Sequence, residues 1–172
     1  KPYFTEAEIA KIKEGFDAAD IEKKLEEGAE PLEYNGKVVG CVKAAHATDK
    51  NLTAHIMAEN IVTKATAVIA MKNMLYKDNI PADSIEYVIE CSEEACGDMN
   101  QRGGGNFAKA IAEVAGLVSA TGSDTRGFCA APTHALINAA AMVKSGLYKS
   151  VAIVAGGATA KLGMNGRDHV NK

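Results

Sequence analysis

Segments that suit β-strands alternate along this chain with segments that suit α-helices, and this alternation limits the fold more than any other feature. Residues 150–156 read SVAIVAG and are apolar almost throughout, which is typical of a strand that is buried on both faces of a sheet. Strands that alternate with helices pair in parallel, because each helix carries the chain back to the starting edge of the sheet. The sequence therefore predicts an α/β fold with a mostly parallel sheet covered by helices.

The individual elements are predicted from local patterns. Asn35-Gly36 lies between two short extended runs and is a strong signal for a hairpin with a type I′ turn. Apolar residues recur at helical spacing over 58–77, and Asn106 is suited to cap a helix over 106–115. The other predicted elements are helices at about 5–15, 18–27 and 131–144 and strands at 38–45, 84–91, 117–124 and 150–156.

Composition excludes several classes of protein. A length of 172 residues, of which 47% are hydrophobic, suits a globular domain with a real core. The net charge of -3 and the lack of a basic run argue against nucleic acid as the main partner. Lys and Glu interrupt every apolar run before the roughly 20 residues of a membrane span, so no membrane partner is predicted. The four cysteines are irregularly spaced and no secretory leader precedes them, which favours reduced thiols and a cytoplasmic location.

Cys129 lies where a predicted strand gives way to the predicted helix at 131–144. Pro132 supports a helix start here, because proline is tolerated in the first helical turn. At such a position the helix dipole and the unpaired backbone N–H groups stabilise a thiolate. The same N–H groups could hold the oxyanion of a thioester intermediate. Two interpretations remain open from the residues: a nucleophile and a buried structural cysteine.

The segment CSEEACGDMNQRGGGN, at 91–106, is a second group of candidate residues. Four residues separate Cys91 from Cys96, unlike the two-residue gap of zinc sites, and no second pair follows, so no metal site is predicted. A glycine run before a predicted helix could offer backbone N–H groups to a phosphate, although the Lys-Ser/Thr of a P-loop is missing. The favoured interpretation is a loop that shapes the site or an interface. The possible phosphate contacts in this loop are Arg102, Gly103, Gly104 and Gly105.

The segment GFCAAPTHALINAAAMVKSGLYKSVAIVAGGATAKL resembles the nucleophile segment of the thiolase superfamily, particularly ketoacyl carrier-protein synthase III. In that superfamily the acylated cysteine precedes a small-residue helix that ends in Ser-Gly, and an apolar strand then runs into Gly-Gly. Cys129, Ser145-Gly146 and Gly156-Gly157 stand in these positions. The resemblance implies a thiolase-like fold over about 38–162, with one βαβαβ half present and Cys129 as the catalytic nucleophile.

Two departures accompany this resemblance. The synthases usually have glycine and an aromatic residue after Cys-Ala, whereas Ala131 and Pro132 stand here. The superfamily takes its catalytic His and Asn, or a second His and Cys, from the other half of the fold. His134 is the one histidine near Cys129 in the sequence. It is therefore a candidate catalytic residue, and a packed or interface histidine is the alternative.

Three segments also resemble the family of component C beta subunits of the glycine/sarcosine/betaine reductase complex. They are YVIECSEEACGDMNQRGGGNFAKAIAEVAG, ATGSDTRGFCAAPTHAL and GGATAKLGMNGRDHV. The resemblance implies an acyl-transferring subunit of an oxidoreductase complex, which helps to form acetyl phosphate from an acetyl group delivered by selenoprotein A through an enzyme thioester. It implies no cofactor. The implied partners are the component C alpha subunit, selenoprotein A and further copies of the same chain.

The family also implies how the chain is organised. Residues 1–34 are predicted to form a helical N-terminal lead, and residues 35–172 the N-terminal half of a thiolase-like domain. The chain opens at Lys1 and members of the family are longer, so the sequence is expected to be a piece of a longer protein. This piece is expected to be inactive by itself. A non-catalytic thiolase-like scaffold that docks selenoprotein A or the alpha subunit is the alternative function.

Overall fold

The computed structural model describes residues 4–7, 10, 17–34, 36–48, 53–92 and 107–157. The described residues fall into two units, one ending at Ala58 and the other beginning at Glu59. The predicted domain division at residue 34 stays a prediction. The helices are α1 (Ala18–Glu26), α2 (Ala54–Lys77), α3 (Phe107–Ala115) and α4 (Ala131–Lys144); the strands are β1 (Glu30–Tyr34), β2 (Lys37–Val42), β3 (Tyr87–Glu90), β4 (Thr121–Asp124) and β5 (Val151–Val154).

The first unit contains α1 and an antiparallel hairpin of β1 and β2. The Asp17 carboxylate accepts a hydrogen bond from the backbone N–H of Asp20 at 2.9 Å, which satisfies one of the free donors at the start of α1. Tyr34 pairs with Lys37 across the hairpin, so a two-residue connection joins the strands and the predicted hairpin is confirmed. Gly36 has a φ of +72°, which glycine adopts without the steric cost of a side chain.

The second unit is built on a parallel sheet with the strand order β4-β3-β5. Glu90 at the end of β3 pairs with Asp124 on one side and with Val154 on the other. The carboxyl ends of the three strands therefore meet at one edge of the sheet, where α/β proteins commonly bind their ligands. The predicted α/β class, with a parallel sheet and covering helices, is confirmed.

Helices cover both faces of this sheet. Because successive strand residues point to opposite faces, Val88 belongs to the buried cluster formed with α2, α3 and β5, whereas Ile89 belongs to the cluster formed with α4. The side of α4 that faces the sheet is made of alanines, whose small side chains let the helix backbone approach closely. These alanines are Ala131, Ala135 and Ala139.

The opposite side of α4 is exposed and partly apolar. Leu136 and Ile137 are each 62% exposed. The helix is therefore buried mainly through its alanine face, to which the partly buried Met142 adds. Association with further copies of the chain stays a prediction. No helix within the described residues is long and apolar enough to cross a membrane.

The predicted strand at 117–124 is wrong in its first half. Residues 117–120 form a turn, and the strand begins at Thr121. The reason is the end of α3: Gly116 has a φ of +90°, and the backbone N–H of Leu117 donates to the carbonyl oxygen of Ala112 at 2.8 Å. This is the glycine-based end of a helix, in which the next apolar residue folds back onto the last turn. The apolar run Leu117-Val118 therefore resembles the start of a strand in the sequence, although in the structure it follows the end of α3.

Candidate functional site

Two acidic residues and one arginine meet at the carboxyl edge of the sheet. Glu90 ends β3 and is fully buried, and Asp124 ends β4. Arg126 follows two residues later, with Nη1 at 2.5 Å from Oε2 of Glu90 and Nη2 at 3.4 Å from Oδ2 of Asp124. Burying a carboxylate without a partner costs much free energy. The Arg126 guanidinium therefore offsets the cost of burying Glu90. We call Glu90, Asp124 and Arg126 the carboxylate–arginine cluster.

Glu90 also links the segments that follow all three strands of the sheet. Its Oε1 accepts a hydrogen bond from the backbone N–H of Ser92 at 2.7 Å, and its carbonyl oxygen accepts one from the N–H of Thr125 at 2.7 Å. The hydroxyl oxygen of Ser92 in turn accepts from the N–H of Gly156 at 2.8 Å. The carboxylate and the backbone carbonyl of Glu90, together with the Ser92 hydroxyl, therefore connect the three segments that leave this edge of the sheet.

Asp124 caps α3 as well as facing Arg126. Its two carboxylate oxygens accept hydrogen bonds from the backbone N–H groups of the first two residues of α3, at 3.0 and 2.8 Å. These donors have no partner inside the helix, and the helix dipole favours an anion there. The buried ring of Phe107 lies 5.6 Å from Cζ of Arg126 and 5.0 Å from Nζ of Lys64. The predicted cap, Asn106, lies outside the described residues.

Cys129 lies in the short 3-10 turn Phe128–Ala130 that leads directly into α4. The predicted place, between a strand and the start of a helix, is confirmed. The side chain is exposed, in contrast to the buried structural cysteine that the sequence left open. Phe128 has a φ of +49°, and a non-glycine residue in this region costs on the order of 1–2 kcal/mol. The thiol therefore follows a strained residue, while the role of nucleophile stays a prediction.

Of the other predicted site residues, the structure describes His134. His134 is exposed on α4, more than one helical turn beyond Cys129. Cys129 lies in the turn before α4 and His134 lies in α4 itself, and the catalytic role of His134 stays a prediction. The four possible phosphate contacts lie outside the described residues; these are Arg102, Gly103, Gly104 and Gly105.

Cys91 provides a contrast to Cys129. It is buried under α4, with Sγ 3.6 Å from the carbonyl oxygen of Val154. Burial raises the pKa of the Cys91 thiol, and the neighbouring Glu90 carboxylate raises that pKa further. Cys91 is therefore a thiol of low reactivity at neutral pH. Within the described ranges, no group of three His, Cys, Asp or Glu side chains is arranged to hold a metal ion.

Sequence reasoning missed the carboxylate–arginine cluster. The available signal was Glu90, an acidic residue at the end of the otherwise apolar run YVIE. Charged residues are almost never fully buried unless they are paired, so a glutamate in a strand predicted to be buried calls for a cation. Arg126, three residues before Cys129, was the nearest basic residue to the predicted nucleophile.

No protein-family model matches the chain. The chain is 64% identical over 162 residues to a protein of Peptoclostridium acidaminophilum named glycine/sarcosine/betaine reductase complex component C subunit beta. The matched region is 94% of this chain and 32% of that relative. The chain therefore spans about a third of the length of the curated relative it matches. The predicted resemblance to component C beta subunits is confirmed.

Proposed function

We propose that this chain, with its 64% identity to a component C beta subunit, is part of an acyl-transferring subunit of a glycine/sarcosine/betaine reductase complex. In this proposal Cys129 carries the acyl group as a thioester. The observation that supports it is the exposed Cys129 thiol in the turn that opens α4. The whole subunit would help to form acetyl phosphate in the cytoplasm, together with the component C alpha subunit and selenoprotein A.

The chemistry has two acyl-transfer steps. The Cys129 thiolate attacks the carbonyl carbon of the acetyl group presented by selenoprotein A, and the donor atom leaves with the electron pair of its bond to that carbon. An oxygen of inorganic phosphate then attacks the thioester, which releases acetyl phosphate and returns the thiolate. The amino end of α4, where the helix dipole favours an anion, suits the oxyanion of both steps. His134, at the same end of α4, is the proposed acceptor of the thiol proton.

A non-catalytic scaffold is the second candidate. The observation that favours it is Pro132 in the first turn of α4. The synthases that this chain resembles usually have an aromatic residue here. Proline carries no backbone N–H, so this turn has one donor fewer for an oxyanion. In this alternative the chain keeps the thiolase-like fold and docks selenoprotein A or the alpha subunit, which itself carries the acyl group.

Acetyl trapping separates the two candidates. The full-length protein is incubated with the alpha subunit and with selenoprotein A charged with a labelled acetyl group, in the absence of phosphate. We expect one label on the peptide that contains Cys129. The variant Cys129→Ser should lose this label, and the matched variant Cys41→Ser should keep it. A label on the alpha subunit alone would refute the nucleophile and support the scaffold.

A further inference from the structure

The turn that presents Cys129 is held between two fixed points. Arg126 is the first, because its guanidinium is paired with the buried carboxylate of Glu90. Ala131 is the second, because it is fully buried in the same cluster as Ile89. Four residues, 127–130, connect these two points and include the thiol. The position of Cys129 therefore depends on how firmly each end of this short segment is held.

The segment between the two points does not hold its own shape through packing. Phe128 adopts a left-handed φ of +49° and is 81% exposed. Its ring therefore gains little from burial that could offset the cost of this backbone conformation. Two backbone hydrogen bonds close the turn: the N–H of Ala130 donates to the carbonyl oxygen of Gly127 at 3.1 Å, and the N–H of Ala131 donates to the carbonyl oxygen of Phe128. A strained conformation persists where its surroundings impose it, and the two flanking anchors are part of those surroundings.

Arg126 is suited to this task by the shape of its side chain. Nη1 contacts the Glu90 carboxylate and also lies 3.3 Å from the carbonyl oxygen of Thr125, while Nη2 faces Asp124. One planar group therefore joins the ends of two strands to the backbone of its own loop. A lysine carries the same charge but has a single nitrogen, so it cannot reproduce this fork.

We propose that Arg126 is a positioning residue for Cys129, because its fork between Glu90 and Asp124 fixes the strained turn that presents the thiol. A role of Arg126 in catalysis rests on the proposed acyl-transfer function. The positioning of the Cys129 thiol by Arg126 does not depend on which acyl donor the protein uses. Arg126 acts through the backbone of the turn and not by contact with the substrate.

The test measures the rate at which iodoacetamide alkylates Cys129 in the full-length protein, over a range of pH, together with unfolding by urea. Two variants keep the net charge of the cluster. Arg126→Lys retains the cation, and the double variant E90Q/R126Q removes one charge of each sign. Removing both members of a buried pair is far less destabilising than removing one. The double variant is therefore expected to remain folded.

We expect alkylation of Cys129 to slow severalfold in Arg126→Lys and about tenfold in the double variant, since a thiol displaced from the start of α4 loses the stabilisation that the helix dipole gives to its reactive thiolate. Lys64→Gln is the matched control, because it removes a cation that faces the same Phe107 ring but belongs to α2 and not to the loop of Arg126. Its rate should stay at the wild-type value. A wild-type rate in both cluster variants, with the fold intact, would overturn the proposal.

Acetyl trapping in the same variants keeps this proposal separate from the proposed function. If wild-type protein accepts no acetyl group but the two cluster variants still slow alkylation, the acyl-transfer function fails and the positioning role stands. If wild-type protein accepts the acetyl group and both variants accept it at the same rate, the positioning role fails and the function stands.

Discussion

Gly156 and Thr63 lie so close that a Cβ atom on Gly156 would stand 1.9 Å from the carbonyl oxygen of Thr63. Real Cβ atoms do not approach a backbone oxygen to this distance, so the chain that leaves β5 touches α2 only because residue 156 has no side chain. The next residue adds a hydrogen bond, from the N–H of Gly157 to the hydroxyl oxygen of Thr66 at 3.0 Å. The Gly-Gly pair of the thiolase-like pattern therefore has a packing role here.

Gly156→Ala should destabilise the protein by roughly 3 kcal/mol, because the methyl group forces the end of β5 away from α2. Urea unfolding of the full-length protein measures the change. Gly40→Ala is the matched control, since its Cβ would stand 3.6 Å from the Leu32 side chain, which is an ordinary contact. The control should stay within about 0.5 kcal/mol of the wild type. An equal loss of unfolding free energy in both variants would show that the close approach to Thr63 is not the reason for glycine at position 156.

Asp124→Asn should lower the free energy of unfolding by about 1–2 kcal/mol, because the amide loses the charge that faces Arg126 and the start of α3. One carbonyl oxygen remains to accept a backbone hydrogen bond, so Asp124→Ala should cost more. Asp83→Asn, at an exposed position, controls for the loss of a carboxylate. If Asp124→Asn and Asp83→Asn unfold at the same urea concentration, the cap contributes no stability.

Cys129 should be alkylated faster than Cys91 at neutral pH, since the first is exposed and the second is buried with a raised pKa. The folded full-length protein is labelled with iodoacetamide and its peptides are mapped by mass. This gives the labelling rates of Cys129, Cys91 and the half-buried Cys41. Labelling in urea, where burial is removed, is the control and should bring the rates together. Slower labelling of Cys129 than of Cys41 in the folded protein would count against the nucleophile.

The stability of the second unit should fall at alkaline pH. The folded state raises the pKa of Cys91, mainly through burial, so it keeps the proton at a pH where the unfolded chain has lost it. The neutral Cys91 thiol makes its full contribution to the free energy of unfolding below the unfolded-state pKa of about 8.5. That contribution is lost as the pH rises above this value. Wild-type protein should therefore lose unfolding free energy more steeply than Cys91→Ala between about pH 8 and 10. Parallel curves for the two proteins would contradict this.

His134→Gln should slow acetylation of Cys129 on the order of 100-fold while it leaves stability unchanged, since general acid–base groups contribute at least this much and the side chain is exposed. Acetyl trapping gives the rate and urea unfolding gives the stability. His46→Gln, an exposed histidine of the other unit, is the matched control. Unchanged acetylation in His134→Gln would place the base elsewhere in the full-length protein.

The sequence by itself determined the features that depend on neighbouring residues. Asn35-Gly36 indicated the hairpin, the apolar run at 150–156 indicated a buried parallel strand, and Pro132 located the start of α4, which begins at Ala131 as predicted. Turn chemistry, side-chain periodicity and helix starts act over a few positions, so they can be inferred without the fold. The same local logic failed at Leu117, where an apolar residue that packs onto a helix end looks like the first residue of a strand.

The tertiary structure alone decided the order β4-β3-β5 and the partners of the charged residues. Glu90 and Arg126 stand 36 positions apart in the chain, and they meet because β3 and β4 are neighbours whose ends coincide. Asp124 caps a helix that begins 17 residues before it. No local pattern carries these pairings, since they arise when hydrophobic burial brings the strands and helices together and each buried charge must then find a partner.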